Sequence, residues 1–183
     1  MEEEVAILID NGYFKKTITA VFKDSQVRID YRKVSDKISD ILKLKRYRTY
    51  FYDAPPFKGS NPTKEENERY SKFDKFVYSV RKLPSFEVRL GKLVKRDNEF
   101  VQKGVDILLA IDIVKLSLKD RVRHIALIAG DADYVPAVKL ARDEGVKIYL
   151  FHNSQNGQYA DELYQNSDER TPLDQSFFKD LQV

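Results

Sequence analysis

Residues 5–9 (Val-Ala-Ile-Leu-Ile) and 125–128 (Ile-Ala-Leu-Ile) are apolar without interruption. A strand with one wet face alternates polar and apolar positions, whereas a strand covered on both faces does not, so both runs read as central strands of a parallel sheet. The second run is the core of a strand over 122–128, and 146–151 is the last clear central strand. Helical spacing of apolar residues lies between them. It predicts helices over 13–23 (Phe14, Ile18, Val21, Phe22), 31–44 (Val34, Ile38, Ile41, Leu42) and 63–83 (Tyr70, Phe73, Val77, Val80). A further helix opens at Gly104, with Val105, Leu108, Leu109, Asp112 and Leu116 on one stripe, and another covers 134–144 and stops at Gly145.

Residues 47–52 form a β-prone run. The Pro- and Gly-rich stretch 54–62 after it reads as a mobile loop beside an active site. Residues 86–94 alternate Phe, Val and Leu with Glu, Arg and Lys, as expected of a half-exposed strand at an edge or in a β-excursion. Strands alternating with helices through short links define an α/β protein: three layers, α/β/α, around a mostly parallel, Rossmann-like sheet. With 183 residues, 42% of them hydrophobic, one domain can bury its own core. That domain is expected over 1–152. Residues 153–183, with six acids against two bases, are expected as an acidic extension packed on it.

In such sheets ligands bind beyond the carboxyl ends of the strands, where the strand order reverses. Asp10 and Asp131 each follow a continuous apolar strand and are expected at that edge. If the two strands are neighbours, a spacing of about 4.8 Å brings both carboxylates within reach of one cation. Asp106, in the first turn of its helix, joins them if that helix starts above the same edge. Each acid also has a plainer explanation: Asp10 and Asp133 suit helix caps, and Asp106 suits the positive end of a helix dipole. Asp112 sits inside an apolar stripe, so it is either hydrogen-bonded to the scaffold or supports a metal ligand from behind. Separate caps do not predict several acids converging on one crevice. Converging acids raise one another's pKa unless a cation neutralises them.

Composition narrows the chemistry. The chain has no cysteine, which excludes disulfides, thiolate zinc sites and cysteine nucleophiles, and its two histidines argue against a multi-histidine centre. A metal would be held by oxygen, which favours Mg²⁺ or Mn²⁺. No apolar run approaches the roughly 20 residues that span a bilayer, and the start, Met1-Glu2-Glu3-Glu4, is acidic, so a cytoplasmic protein without membrane contact is expected. Net charge is only +3, but residues 31–48 carry seven bases against two acids, a face suited to a polyanion.

Val5-Ala6-Ile7-Leu8-Ile9-Asp10, Gln102-Lys103-Gly104-Val105-Asp106 with Asp112 six residues on, and Ile128-Ala129-Gly130-Asp131-Ala132-Asp133-Tyr134-Val135-Pro136 resemble, in order, the three motifs of the NYN domain family in its LabA-like branch. Arg89-Leu90-Gly91-Lys92-Leu93 is similar as well, and the resemblance runs from about residue 4 to 152. It implies a PIN-like nuclease fold and a Mg²⁺- or Mn²⁺-dependent phosphodiesterase acting on RNA. Asp10, Asp106 and Asp131 would be the catalytic, metal-binding core and Asp133 a fourth catalytic member, with Asn11 and Asp112 supporting them. The chain departs from the family's pattern at Tyr13, where many members carry asparagine.

Such a site would neutralise the phosphodiester and lower the pKa of a metal-bound water, with solvent or Asp133 taking the proton. Lys92, Lys95, Arg96 and Lys103 are the candidate phosphate contacts. Tyr13, Phe57 and Tyr134 are the candidate rings for stacking an unpaired base, which suits single-stranded RNA. His124 and His152 are given no role. Two other readings stand beside this one: a non-catalytic RNA-binding or regulatory module of the same fold, and a metal-dependent phosphatase or nucleotide hydrolase. A homodimer would form through 86–94 or through Phe177-Phe178.

Overall fold

The strand β1 (Glu4–Asp10) has no exposed position from Val5 to Ile9. Val5, Ile7 and Ile9 enter one core and Ala6 and Leu8 the other, so each side chain faces a helix layer and polar alternation has no place there. The computed structural model that shows this describes residues 3–96, 99–155 and 157–183, with only the backbone described for 93–96 and 99–103.

β1 pairs in parallel with β2 (Lys45–Asp53) on one side and β6 (His124–Ile128) on the other. β3 (Phe86–Leu90) continues beyond β2, while β7 (Lys147–Asn153) and β8 (Glu169–Leu173) continue beyond β6. The order is β3-β2-β1-β6-β7-β8, and all neighbouring pairs are parallel. One face is covered by α1 (Asn11–Phe22), α2 (Tyr31–Leu42), α3 (Lys64–Arg81) and α7 (Gln175–Phe178). The other is covered by α4 (Val105–Ser117), α5 (Val135–Asp143) and α6 (Asp161–Gln165). The expected three-layer architecture is therefore present. The chain order reverses between β1 and β6, which makes the carboxyl end of that pair the switch point of the sheet.

Two stretches differ from the pattern-based expectation. Residues 86–94 are two strands: β3 lies at the edge of the main sheet, and β4 (Lys92–Arg96) leaves it to pair antiparallel with β5 (Glu99–Lys103). The break falls at the buried Gly91, whose N–H donates to the Asp53 carbonyl at 2.9 Å. The segment from residue 153 supplies β8 and α7, and Leu173, Phe177, Phe178 and Leu181 are buried beside Phe14 and Ile18. Phe177 and Phe178 are thus core residues and not a contact between copies. Among the described residues, no helix is long and apolar enough to cross a membrane.

Asp112 is buried and accepts hydrogen bonds from the Tyr52 hydroxyl (2.8 Å) and Arg89 Nε (3.3 Å). It ties α4 to β2 and β3 and makes no bond to Asp10, Asp106 or Asp131. Its place in an apolar stripe is resolved by these two partners, because a buried carboxylate needs donors.

Candidate active site

Asp10 ends β1 and caps α1, its Oδ1 accepting from the Tyr13 N–H at 3.1 Å. Capping uses one oxygen only. Its Oδ2 accepts from the Tyr134 hydroxyl at 3.0 Å, and the same hydroxyl lies 2.8 Å from Asp106 Oδ1. A phenol carries one proton, so Tyr134 donates to one carboxylate at a time while holding both within reach. Asp106 reaches this point because α4 starts at the edge of the sheet, behind Gly104, whose φ of 88° turns the hairpin β4–β5 into the helix. A left-handed backbone there suits glycine.

Asp131 stands in the turn after β6, and its Oδ1 accepts from the Asp133 N–H at 3.0 Å. Asp131, and not Asp133, therefore caps the short 3-10 turn Ala132–Tyr134 that precedes α5. The Asp133 side chain is exposed and does not line the cavity formed here. That cavity, of about 620 Å³, lies at the switch point and is walled by Asp10, Asp106 and Asp131 together with Lys16, Asn153 and Tyr159.

Burial raises the pKa of Asp10; the bonds from the Tyr13 amide and Tyr134 hydroxyl oppose the rise, and the Asp106 charge adds to it. Tyr134 is raised by burial first and then by the charges of Asp10 and Asp106, so it stays a protonated donor at neutral pH. Tyr134→Phe is expected to cost about 2 kcal/mol, because a buried bond to a charged group is lost. Thermal unfolding in EDTA reads this directly.

Among the described residues, no three carboxylates or imidazoles stand close enough to form a ready-made metal cage. The Tyr134 hydroxyl lies between Asp10 and Asp106, and one Asp131 oxygen is committed to the Asp133 amide. The donor set nonetheless fits a hard cation. It is all carboxylate oxygen on one wall, and Mg²⁺ keeps several waters while taking only one or two carboxylates from a protein.

Tyr13 borders the cavity, but its ring is seated on Gly130, where a Cβ would fall 2.1 Å from Tyr13 Cε2. Its hydroxyl accepts from the Asn153 N–H at 2.8 Å. It braces α1 against the exits of β6 and β7, which leaves its ring no freedom to take up a base. Asn11 is buried and turned away from the acids: its Nδ2 donates to Asp53 Oδ2 (2.6 Å), and its Oδ1 accepts from the Tyr31 hydroxyl (2.5 Å). The expected support of Asp10 by Asn11 is thus replaced by support of Asp53.

Sequence reading passed over two residues. Asp53 ends β2 as Asp10 ends β1; it is buried and accepts from Asn11, Lys15 Nζ (3.1 Å) and the Ala54 N–H (2.8 Å). Its signal was the same as that of Asp10, an aspartate closing a β-prone run. Lys16 lines the acid cavity, is exposed and has no ion pair among the described residues. Its only signal was its place on the helix that Asp10 caps. Lys92 lines a separate hollow with the proline-rich loop and Phe57, so that loop does not border the acids. The Lys95, Arg96 and Lys103 side chains lie outside the described residues.

A parallel α/β domain with carboxylates gathered at its switch point is the class that this fold and site define. The NYN domain model matches residues 4–174, and the chain belongs to that family of nuclease-like domains. The match takes in β8, beyond the last of the three motifs. Over 72 residues the chain is 28% identical to "Uncharacterized protein y4oD" of Sinorhizobium fredii, an alignment that covers 39% of this chain and 32% of that protein. The chain thus aligns with about a third of the length of this relative.

Proposed function

We propose that the protein is a Mg²⁺- or Mn²⁺-dependent ribonuclease of PIN-like fold in the LabA-like branch, acting on single-stranded RNA in the cytoplasm. The observation that carries this reading is the pairing of Asp10 and Asp106 through one buried hydroxyl, on a cavity wall shared with Asp131. Asp10, Asp106 and Asp131 would hold the cation, which when bound neutralises the phosphodiester and acidifies a water. Tyr134 keeps two of the acids together, and Lys16 draws the RNA phosphate to the same wall. With Asp133 outside that wall, the proton of the attacking water passes to solvent. A second copy of the chain remains part of the proposal. The exposed apolar side chains Ile107 and Ile111 of α4, with Leu118 just past its end, offer it a surface, and a light-scattering concentration series showing only monomer removes it.

One observation favours a second reading, a non-catalytic RNA-binding module: the lack of a ready-made three-acid cage among the described residues. End-labelled RNA, single- and double-stranded, incubated in Mn²⁺, in Mg²⁺ and in EDTA, separates the two. The nuclease reading expects cleavage in metal, none in EDTA, and a loss of about 10²-fold or more in Asp131→Asn. A folded protein that binds Mn²⁺ and RNA but cleaves nothing establishes the module instead.

A further inference from the structure

The acid cavity also carries an aromatic ring to which no role has been given. Tyr159 is half-buried and lines the cavity. Its ring is stacked on Tyr164, with centroids 5.2 Å apart and planes inclined by 23°. His152 meets Tyr159 edge-on at 4.6 Å and Tyr164 at 5.2 Å, and the Arg170 guanidinium lies 5.0 Å from the Tyr164 ring. Side chains from the end of β7, from α6 and from β8 thus fix the plane of a ring that borders the acids. A ring already immobilised loses little further freedom when a flat partner settles on it.

The other aromatic groups near the acids are not available for that task. Tyr13 is seated on Gly130 and bonded to Asn153, Tyr134 is fully buried with its hydroxyl between two carboxylates, and Phe57 lines a different hollow. Beside Tyr159 the exposed carboxamide of Gln158 offers a donor and an acceptor, and Lys16 places a cation on the same wall. The cavity therefore combines acids, a phosphate-seeking cation and a braced aromatic face.

We propose that Tyr159 is the platform of a nucleobase subsite: one unpaired base of the RNA stacks on its ring while a neighbouring phosphate meets Lys16. The proposal rests on the ribonuclease reading for its ligand class and adds the residue that takes the base. Stacking on a ring tolerates any base, so the subsite selects unpaired over paired RNA and not one sequence over another.

The test is fluorescence anisotropy in EDTA at low salt, where no cleavage occurs, with a fluorescein-labelled oligouridylate and a set of oligonucleotides bearing one abasic site at each position in turn. Wild-type protein is expected to bind about tenfold more weakly when the abasic site falls at one particular position. Tyr159→Leu, which keeps apolar packing on Tyr164 but has no aromatic face, is expected to weaken the intact oligonucleotide about tenfold and to show no abasic penalty; Tyr159→Phe stays within about twofold of wild type. A flat abasic series on wild-type protein overturns the proposal whether or not the variants fold. So does a Phe variant as weak as the Leu variant, or an abasic penalty that survives in Tyr159→Leu. A protein that cleaves RNA in Mn²⁺ but gives the flat series loses only the subsite, whereas one that neither binds nor cleaves RNA loses the ribonuclease reading as well.

Discussion

Asp10→Asn is expected to stop metal-dependent cleavage, by about 10³-fold, and at the same time to make the fold more stable. Asparagine caps a helix as well as aspartate does, so the bond to the Tyr13 amide survives. What disappears is a carboxylate that burial and the nearby Asp106 charge both disfavour. Because Asp10 titrates above its ordinary value of 3.8, the native protein loses stability as pH rises through the raised value. The variant, neutral throughout, does not. Its advantage is therefore absent below the ordinary carboxylate range, opens as pH climbs through the raised value and is complete at pH 7. The variant is expected to melt higher than wild type at pH 7 and level with it at pH 3, both measured in EDTA. A variant less stable than wild type at pH 7 would mean that the bonds to Asp10 outweigh its burial and repulsion.

Gly130→Ala carries the largest expected loss of stability, about 3 kcal/mol. The added methyl group would fall 2.1 Å from one atom of the Tyr13 ring and within 2.8 Å of two others. The ring cannot swing away without giving up the bond from the Asn153 amide to its hydroxyl. Tyr13→Ala alone empties the space, so the double variant is expected to be more stable than the sum of the two single losses by about 1–2 kcal/mol. Urea unfolding of the four proteins closes this cycle, and simple additivity would show that the two residues do not press on each other. The same contact gives the aromatic residue at position 13 a purpose. It sets the distance between the helix that Asp10 caps and the turn that carries Asp131.

Much of this site could be read from the chain because its parts follow rules of burial. The run from Val5 to Ile9 lacks alternation since both faces of β1 are covered, and an acid after such a run must emerge at the sheet edge. The pairing of Ile9 with Ile128 then sets Asp10 and Asp131 on neighbouring exits. Hydroxyl partners were not legible. Tyr134 reads as one more core aromatic, and nothing in its spacing announces that its oxygen reaches Asp10 and Asp106. The 3-10 turn Ala132–Tyr134 has a period of its own, so helical spacing points to a cap two residues late, at Asp133. β8 was hidden for a different reason: an edge strand can be polar and can hold a proline, and Glu-Arg-Thr-Pro-Leu shows no apolar run.

Strand order also governs when the site can come into being. β1 stands at the centre of the sheet, but its partner β6 follows it in the chain only after β2 to β5 and α1 to α4. Phe14 of α1 rests on Phe178, which comes later still. Pairings between such distant segments close large loops and form slowly. Asp10 therefore stays apart from Asp131 until the chain through β6 has been made and has paired with β1. Until then a nascent chain lacks the completed acid wall on which the proposed nuclease activity depends.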